Sequence, residues 1–550
     1  MKLKQIRLRP DWLTIASALL YVVSFPPWNQ AWIGWFCLVP WFWAVARARD
    51  SRDAFVQGLW LSVIISVVGF YWVGYVLHEF AGLPWPLASL GLLGYSLVGQ
   101  PQLYLFSPVL RATRGLRLPT LPVTTCLALA YAGLDWILPK LFVDTLGHSL
   151  YASSWLIQAA DLGGAALLTF AMVLVNLVIY ELLSRIQRRT EPSVWPSIRA
   201  SWAELASALI LVLALLSYGR ARLAQVQAWM SEPGETLQAA VIQANIGDFD
   251  KIASERGVRG AADKVLNTFY GMSDQALQLT PRPEILVWPE TSYPSTFRTP
   301  EASDELARDQ GLEQFVRTRG ATLFFGGYDR EGSKDFNAFF FLAPAPVPGV
   351  GGEGDLQVYR KNILLLWGEY IPGAESFEFI RKAFPQVGNF GRGPGPVVLK
   401  VPYVRGGRTH TALAGPVICY EILFPNYVIG AARQGAQFIV NITNDSWFGP
   451  WGEPELHLSL TAFRSIETRL PQLRSTNTGI STLILPDGRI TRSTALFTPE
   501  ILNVGVPLAS RRMPTLMTAW GDWFGPTACC LGFGGLCLLL GWSRRRLGRV

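Results

Sequence analysis

The first 220 residues carry seven long apolar runs, Trp12–Pro27, Ala31–Ala46, Ala54–Leu77, Pro84–Leu110, Pro119–Leu138, Gly163–Leu183 and Trp202–Tyr218. An eighth run, Gly525–Trp542, lies near the other end of the chain. Each is roughly long enough to cross about 30 Å of hydrocarbon as a helix. The stretch between the seventh and eighth runs is too polar to belong to the same phase, so two regions in different solvents are implied.

Charge orients the runs. The formal charge of +8 falls largely in short arginine clusters between apolar runs, a pattern of membrane orientation rather than of nucleic-acid binding. Lys2, Lys4, Arg7 and Arg9 precede the first run. A signal peptide is the competing reading, but no Ala-x-Ala-like site follows and further runs come at once. With the N-terminus in the cytoplasm, the inside loops hold Arg47, Arg49 and Arg52, then Arg111, Arg114 and Arg117, then Arg185, Arg188, Arg189 and Arg199, and finally Arg544, Arg545, Arg546 and Arg549. The alternate loops carry few positive charges. The expectation is an eight-span helical bundle with both termini cytoplasmic: residues 1–220 as seven spans, 221–524 as an outer domain, and 525–550 as the eighth span with its basic tail.

The outer segment has a different grain. Leu237–Ile246, Glu284–Val287, Ala321–Phe325, Ala338–Leu342, Pro416–Cys419, Gln437–Ile442 and Thr482–Leu485 are short runs rich in β-branched or aromatic residues, as buried strands are. Helical patterns lie between several of them, at Ala261–Leu279, Ser303–Arg319 and Leu456–Leu470. An α/β layered sandwich is expected. The Pro/Gly loop 343–355 lacks the Gly-Lys-Ser/Thr of a phosphate-cradling loop.

Cys419 is the one cysteine of six that lies outside the long apolar segments. A free thiol has a pKa near about 8.5, so a cysteine nucleophile needs a base or a positive neighbour. The chain has four histidines; His78 and His148 fall in loops flanking the apolar runs, which leaves His410 and His457 as candidate imidazole partners. A hydrogen-bonded core or surface histidine is the plainer account of both. No Cys/His spacing resembles a zinc ligand set, so no metal is expected. Carboxylate and lysine can replace histidine: Glu290 ends Val-Trp-Pro-Glu where a strand leaves the sheet, and Lys361 ends Tyr-Arg-Lys. A carboxylate base, a lysine cation and a thiol form a sufficient acyl-transfer set.

Trp-Pro-Glu at 288–290, Tyr-Arg-Lys at 359–361 and Ile-Cys-Tyr-Glu at 418–421 stand in an order that resembles the nitrilase, or carbon-nitrogen hydrolase, superfamily. With eight spans around that domain, the chain resembles the bacterial apolipoprotein N-acyltransferases over nearly its whole length. Further matching stretches are Gly326–Asp329, Trp367–Tyr370, Asn441–Gly449 and Arg474–Gly479. The resemblance implies a nitrilase-like fold and a Glu-Lys-Cys triad, with Cys419 as nucleophile, Glu290 as general base and Lys361 as oxyanion stabiliser. It also implies supporting roles for Glu369 and Glu421, an acyl pocket shaped by Tyr420 and Trp447, and no cofactor. For Trp447, core packing is an equal alternative. The implied substrates are a membrane phospholipid as acyl donor and a diacylated apolipoprotein as acceptor, handled by a monomer at the outer face of the bacterial inner membrane. Ile363, Leu366, Ala244, Gly247 and Leu470 depart from the family's usual residues. A membrane-tethered nitrilase-type amidase would share the triad but not require eight spans. A transporter or receptor would predict a broken triad or charges in mid-span.

Overall fold

A computed structural model describes residues 9–547 except 80, 115–118, 189–192, 233, 248–252, 254–257, 259, 301, 348, 351–354, 367, 372–389 and 509–510. Lys2, Lys4, Arg7, Arg117, Arg189, Trp367, Arg549 and part of the 343–355 loop lie outside the described residues, as do the side chains of Arg544, Arg545 and Arg546. The chain divides into two compact units, Met1–Ala224 with Trp520–Val550, and Gln225–Ala519.

In chain order the first unit contains α1 (Trp12–Val23), α2 (Val39–Arg47), α3 (Ser51–Gly69), α4 (Trp72–Glu79), α5 (Trp85–Gly99), α6 (Pro101–Thr113), α7 (Thr120–Ile137), α8 (Ala160–Gln187), α9 (Trp195–Ala200) and most of α10 (Trp202–Met230). The second contains β1 (Glu235–Gln243), α11 (Ala261–Ala276), β2 (Ile285–Val287), α12 (Ser303–Arg319), β3 (Thr322–Glu331), β4 (Lys334–Leu342), β5 (Leu356–Arg360), β6 (Leu399–Arg405) and β7 (Arg408–Ile418). It continues through α13 (Pro425–Arg433), β8 (Phe438–Thr443), α14 (Glu453–Thr468), β9 (Gln472–Thr476), β10 (Thr482–Ile484), β11 (Ile490–Ser493), β12 (Glu500–Leu508) and α15 (Leu516–Trp520). Helix α16 (Phe524–Leu547) returns to the first unit.

Among the described residues, five helices are long and apolar enough to cross a membrane: Ser51–Gly69, Thr120–Ile137, Leu156–Gln187, Trp202–Met230 and Phe524–Ser543. Of the other apolar runs, Trp12–Pro27 holds the shorter helix α1 and two are broken. Ala31–Ala46 is not one helix but a 3₁₀ turn, Ala31–Trp35, followed by α2, whose second residue is Pro40. Pro84–Leu110 divides at Gln100, where Pro101 cannot donate to the helix before it and starts α6 instead. The 139–162 connection is packed: His148 is buried and its Nδ1 accepts from the Thr145 backbone N–H at 3.0 Å.

The arginine-bearing connections gather at one end of this unit. Arg111 Nε donates to Ala48 O at 2.8 Å, Arg114 pairs with Glu181 near the end of α8, and Arg185 Nη2 donates to Thr120 at 2.7 Å and Glu204 at 2.9 Å. Gln57 Nε2 reaches Arg9 O, so the start of α1 is at that end too. Helix α16 packs antiparallel on α7 through glycines. A Cβ on Gly133 would stand 2.3 Å from Cys529 Cα, one on Gly532 2.3 Å from Ala130 N, and one on Gly535 2.5 Å from Cys126 Sγ. Small residues let two backbones approach where lipid supplies no hydrophobic drive.

The second unit is a four-layer sandwich. One sheet has the order β12-β1-β2-β3-β4-β5 and the other β11-β10-β9-β8-β7-β6, with β1, β2 and β3 parallel and β7, β8 and β9 parallel. The period of two along β1 sends Leu237, Ala239 and Val241 into the core between the sheets, with Val287, Phe324, Phe339, Ile418, Val440 and Leu473. It sends Ala240 and Ile242 to the opposite core, against Leu266 and Phe269 of α11 and Leu312 of α12. Leu458 and Ala462 of α14 cover the second sheet at Ile484. All seven strands read from sequence are present; β5, β6, β9, β11 and β12 are additional.

Gly532→Val is expected to force α7 and α16 apart and to cost about 1–3 kcal/mol, the usual range for overpacking. A lowered midpoint in a thermal unfolding series of the detergent-solubilised protein checks it, and an unchanged midpoint would refute the close packing.

Candidate active site

The residues singled out in sequence collect at the carboxyl ends of the parallel strands, the edge at which α/β sheets bind ligands. Glu290 lies three residues beyond β2, Lys361 directly after β5, Cys419 directly after β7, and Asn444 and Asn477 directly after β8 and β9. Backbone sterics mark the same edge: Asn245, Thr291 and Cys419 have φ of 53°, 48° and 49°, in the left-handed region that non-glycine residues seldom enter. The turn that presents Glu290 depends on Gly326 of β3, because a Cβ there would stand 2.5 Å from Thr291 N and 2.7 Å from Glu290 Cα.

Lys361 is 1% exposed, and its ammonium lies between two carboxylates, donating to Glu369 Oε1 at 2.8 Å and Glu290 Oε1 at 3.3 Å. Burial alone would push its pKa down; Glu290 and then Glu369 outweigh that and hold it well above the ordinary lysine value. Asn337 of β4 spans the same pair, its Nδ2 donating to Glu290 Oε1 at 2.8 Å and Glu369 Oε1 at 2.7 Å. The other oxygen of Glu290 accepts from Asn444 N at 3.0 Å, and that of Glu369 from Leu365 N at 2.8 Å.

Burial and the Glu290 charge push the Cys419 thiol well above its ordinary pKa, with Lys361 and a Thr443 hydrogen bond opposing them. The thiol is therefore protonated at neutral pH. Of the carboxylates near it, Glu290 is the one whose charge raises its pKa most. Glu421 is fully buried. It accepts from Ile418 N at 2.9 Å and Tyr359 Oη at 2.6 Å through one oxygen, and from Asn362 N at 2.6 Å and Ile363 N at 3.0 Å through the other. Burial raises its pKa and these bonds pull against that rise. Ile363, one of the family departures, thus contributes through its backbone N–H. Tyr420 is buried with its ring edge-on to Phe424, and Trp447 is half-buried in the 3₁₀ turn Asp445–Phe448.

Histidine is not the partner of Cys419. His410 stacks on Tyr403 and approaches Glu235, and His457 is a core residue with Nδ1 3.3 Å from Asp445 Oδ1 and 3.5 Å from Glu453 Oε1. Arg474 binds this group, with Nη2 2.8 Å from Asp445 Oδ2 and 3.2 Å from His457 Nδ1, and Nη1 2.8 Å from Asn441 Oδ1. Asp445, Glu453 and His457 bring possible ligand atoms within 4.8 Å of one another, which the sequence spacing did not reveal. The Arg474 guanidinium already supplies positive charge there. Asn337 was also missed; its only signal is one amide in the apolar run Phe-Asn-Ala-Phe-Phe-Phe.

Residues 17–178 match the family described as apolipoprotein N-acyltransferase N-terminal domain, and residues 238–513 match the carbon-nitrogen hydrolase family. An apolipoprotein N-acyltransferase from Bdellovibrio bacteriovorus is 33% identical over 520 residues, covering 91% of this chain and 88% of the relative. The chain belongs to the apolipoprotein N-acyltransferase family. A second apolipoprotein N-acyltransferase, from Geobacter metallireducens, is 29% identical over 95% of this chain and 94% of its own length. Among solved structures, an amidase from Nesterenkonia sp. AN1 aligns with 52% of this chain and 98% of its own, at 18% identity and a TM-score of 0.36. The buried Lys361 ammonium lies between two carboxylates, and its charge reaches the Cys419 thiol.

Burial alone would raise the Asp445 carboxyl; Arg474, and after it His457, bring it down to about 2. A folded pKa below the unfolded value of about 3.9 contributes stability that is fully present above about pH 4 and is lost as pH falls through about 2. Asp445→Asn is expected to flatten that acid limb and, by leaving Arg474 buried without its carboxylate, to cost about 3–5 kcal/mol. Unfolding midpoints measured between pH 2 and pH 6 test both, and a variant with the parent's stability and acid slope would contradict the pairing.

Proposed function

We propose that this chain transfers a fatty acyl group from a membrane phospholipid to the α-amine of a lipoprotein's diacylglyceryl-cysteine, through a thioester on Cys419. The observation that carries the reading is the buried Lys361 ammonium held between Glu290 and Glu369, next to a thiol that cannot ionise unaided. Glu290 takes the thiol proton as sulfur attacks the ester carbonyl. Lys361 balances the negative charge that develops on the carbonyl oxygen, in a site dry enough for that charge to count. Collapse breaks the ester bond, and Glu290 returns the proton to the departing lyso-phospholipid oxygen. The lipoprotein amine then attacks the thioester, Glu290 accepts its proton, and the amide forms as the C–S bond breaks and Glu290 returns that proton to the Cys419 sulfur.

Glu369 and Asn337 position Lys361 and Glu290, and Glu421 orders the backbone on either side of the nucleophile. Tyr420 and Trp447 shape the acyl pocket. All the reacting groups come from one chain and none of the steps requires a cofactor, which favours a monomeric enzyme acting alone. The catalytic domain, residues 221–524, works at the outer face of the bacterial inner membrane, between seven crossings in 1–220 and an eighth in 525–550. Five apolar helices and the shorter apolar helices Trp12–Val23 and Trp85–Gly99 account for seven of the eight crossings, the turn Ala31–Trp35 with α2 would supply the other, and the gathering of arginine-bearing loops at one end with the start of α1 fits that topology. The two ends of the chain would then lie in the cytoplasm. Hydrolysis by water, as in an amidase, is the less favoured outcome, given relatives that match the chain from end to end.

Purified protein given phosphatidylethanolamine and a diacylated lipopeptide should yield a triacylated product and an acyl adduct on Cys419, both read by mass shift. Cys419→Ala should remove the adduct, and Glu290→Gln should slow its formation by about 10²–10⁴-fold, the usual range for a lost general base. Full turnover by Cys419→Ala would overturn the nucleophile, and release of free fatty acid alone would favour the hydrolase. Asn337→Ala is expected to lower kcat more than it raises KM, with partial rescue in Asn337→Gln; a loss of folding yield without that split would make Asn337 merely structural.

A further inference from the structure

A cleft of about 600 Å³ lies in the second unit at the opposite ends of the strands from Cys419. It is lined at the start of β1 by Gly234, Glu235 and Thr236, at the end of β12 by Leu508, and before β8 and β9 by Gln437 and Pro471. Trp229, Leu470 and Met513 extend its apolar wall. Its volume is within the range of about 300–1,000 Å³ typical of small-molecule sites.

The cleft has unspent positive charge. Arg511 is paired with Glu232 at 2.5 Å, and Glu235 is engaged by the Tyr403 hydroxyl. Arg433 donates only to carbonyls, Nε to Thr518 O at 2.7 Å and Nη2 to Ala519 O at 3.0 Å, with no carboxylate partner among the described residues. Arg512 lines the cleft with no hydrogen bond or ion pair among the described residues. Two exposed guanidiniums beside an apolar wall match a phosphate carrying an apolar tail, because guanidinium pairs with phosphate oxygens in a planar fork.

The chain's course selects the source of that phosphate. Trp229 and Met230 belong to the last turn of α10, and Ala519 is five residues before Phe524, a reach of at most about 18 Å; α10 and α16 are both long enough to cross a bilayer. A segment that enters or leaves a crossing helix passes through the headgroup layer, where lipid phosphates lie.

The geometry points to a second lipid site, in which Arg433 and Arg512 hold the phosphate of an anionic phospholipid that is not the acyl donor. The nine residues of β1, at about 3.3 Å per residue, separate the cleft from the thiol by roughly 25–30 Å, so a lipid held here cannot acylate Cys419. Leu470 keeps this wall apolar.

Native mass spectrometry of the full-length protein in detergent, titrated separately with phosphatidylglycerol, phosphatidylethanolamine and inorganic phosphate, tests the site. The difference between the parent and an Arg433→Ala/Arg512→Ala variant isolates it from lipid at the catalytic centre. Expected are a tenfold or greater loss of retained phosphatidylglycerol in the variant, little change with phosphatidylethanolamine, and lipopeptide acylation within twofold of the parent. Both arginines are exposed, so the unfolding midpoint should not move; Arg512→Glu alone, with the same loss, excludes a folding defect as its cause. Equal phosphatidylglycerol retention in parent and variants overturns the proposal. So does equal arginine-dependent retention of phosphatidylethanolamine, or arginine-dependent phosphate binding without lipid retention, which would make this a free-anion site.

Discussion

One buried carboxylate holds the candidate site together. Glu421 accepts four hydrogen bonds, two from groups on the segment that follows Lys361, one from the residue before Cys419 and one from Tyr359. It sits in the turn that begins with Cys419, so a single side chain fixes the end of β5 against the end of β7. A carboxylate taken out of water is costly unless its lone pairs are filled, and here both oxygens are. The left-handed backbone at Cys419 persists because these bonds over-determine it.

A second balance is set around Lys361. Two carboxylates sharing one ammonium would repel each other across a dry site if that cation were lost, and the Asn337 amide keeps both oxygens aimed at it. The arrangement leaves Glu290 in contact with the cation and within the field of the thiol. In the proposed reaction, charge would shift from carboxylate to sulfur to carbonyl oxygen with little reorganisation around it, which is what a preorganised site supplies.

Much of this was legible in sequence, for reasons that differ by element. Strands such as Phe438–Thr443 and Ile285–Val287 are buried on both faces and announce themselves as apolar runs. β9, Gln-Leu-Arg-Ser-Thr, is equally buried but reads as polar, because its arginine is neutralised by Asp445, an element away. β12 is the edge of its sheet and tolerates Pro507 there, so its pattern looks broken. The Ala31–Ala46 and Pro84–Leu110 runs show the converse: hydropathy counts apolar residues but not the backbone breaks introduced around Pro40 and Pro101. Glu290, Lys361 and Cys419 were visible as local motifs. Asn337 and the Asp445–Arg474 pair were not, since their roles arise only when strands distant in sequence lie side by side.

The neutral thiol at rest also bears on durability. Peroxide and disulfide exchange act on thiolates, and Cys419, although half-buried, is biased towards the neutral thiol by desolvation and the Glu290 charge. At the outer face proposed for this domain, a thiolate would be open to mixed disulfides and sulfenic acid. The same low-dielectric surroundings that would make the proposed nucleophile dependent on a base also disfavour the form that oxidants attack.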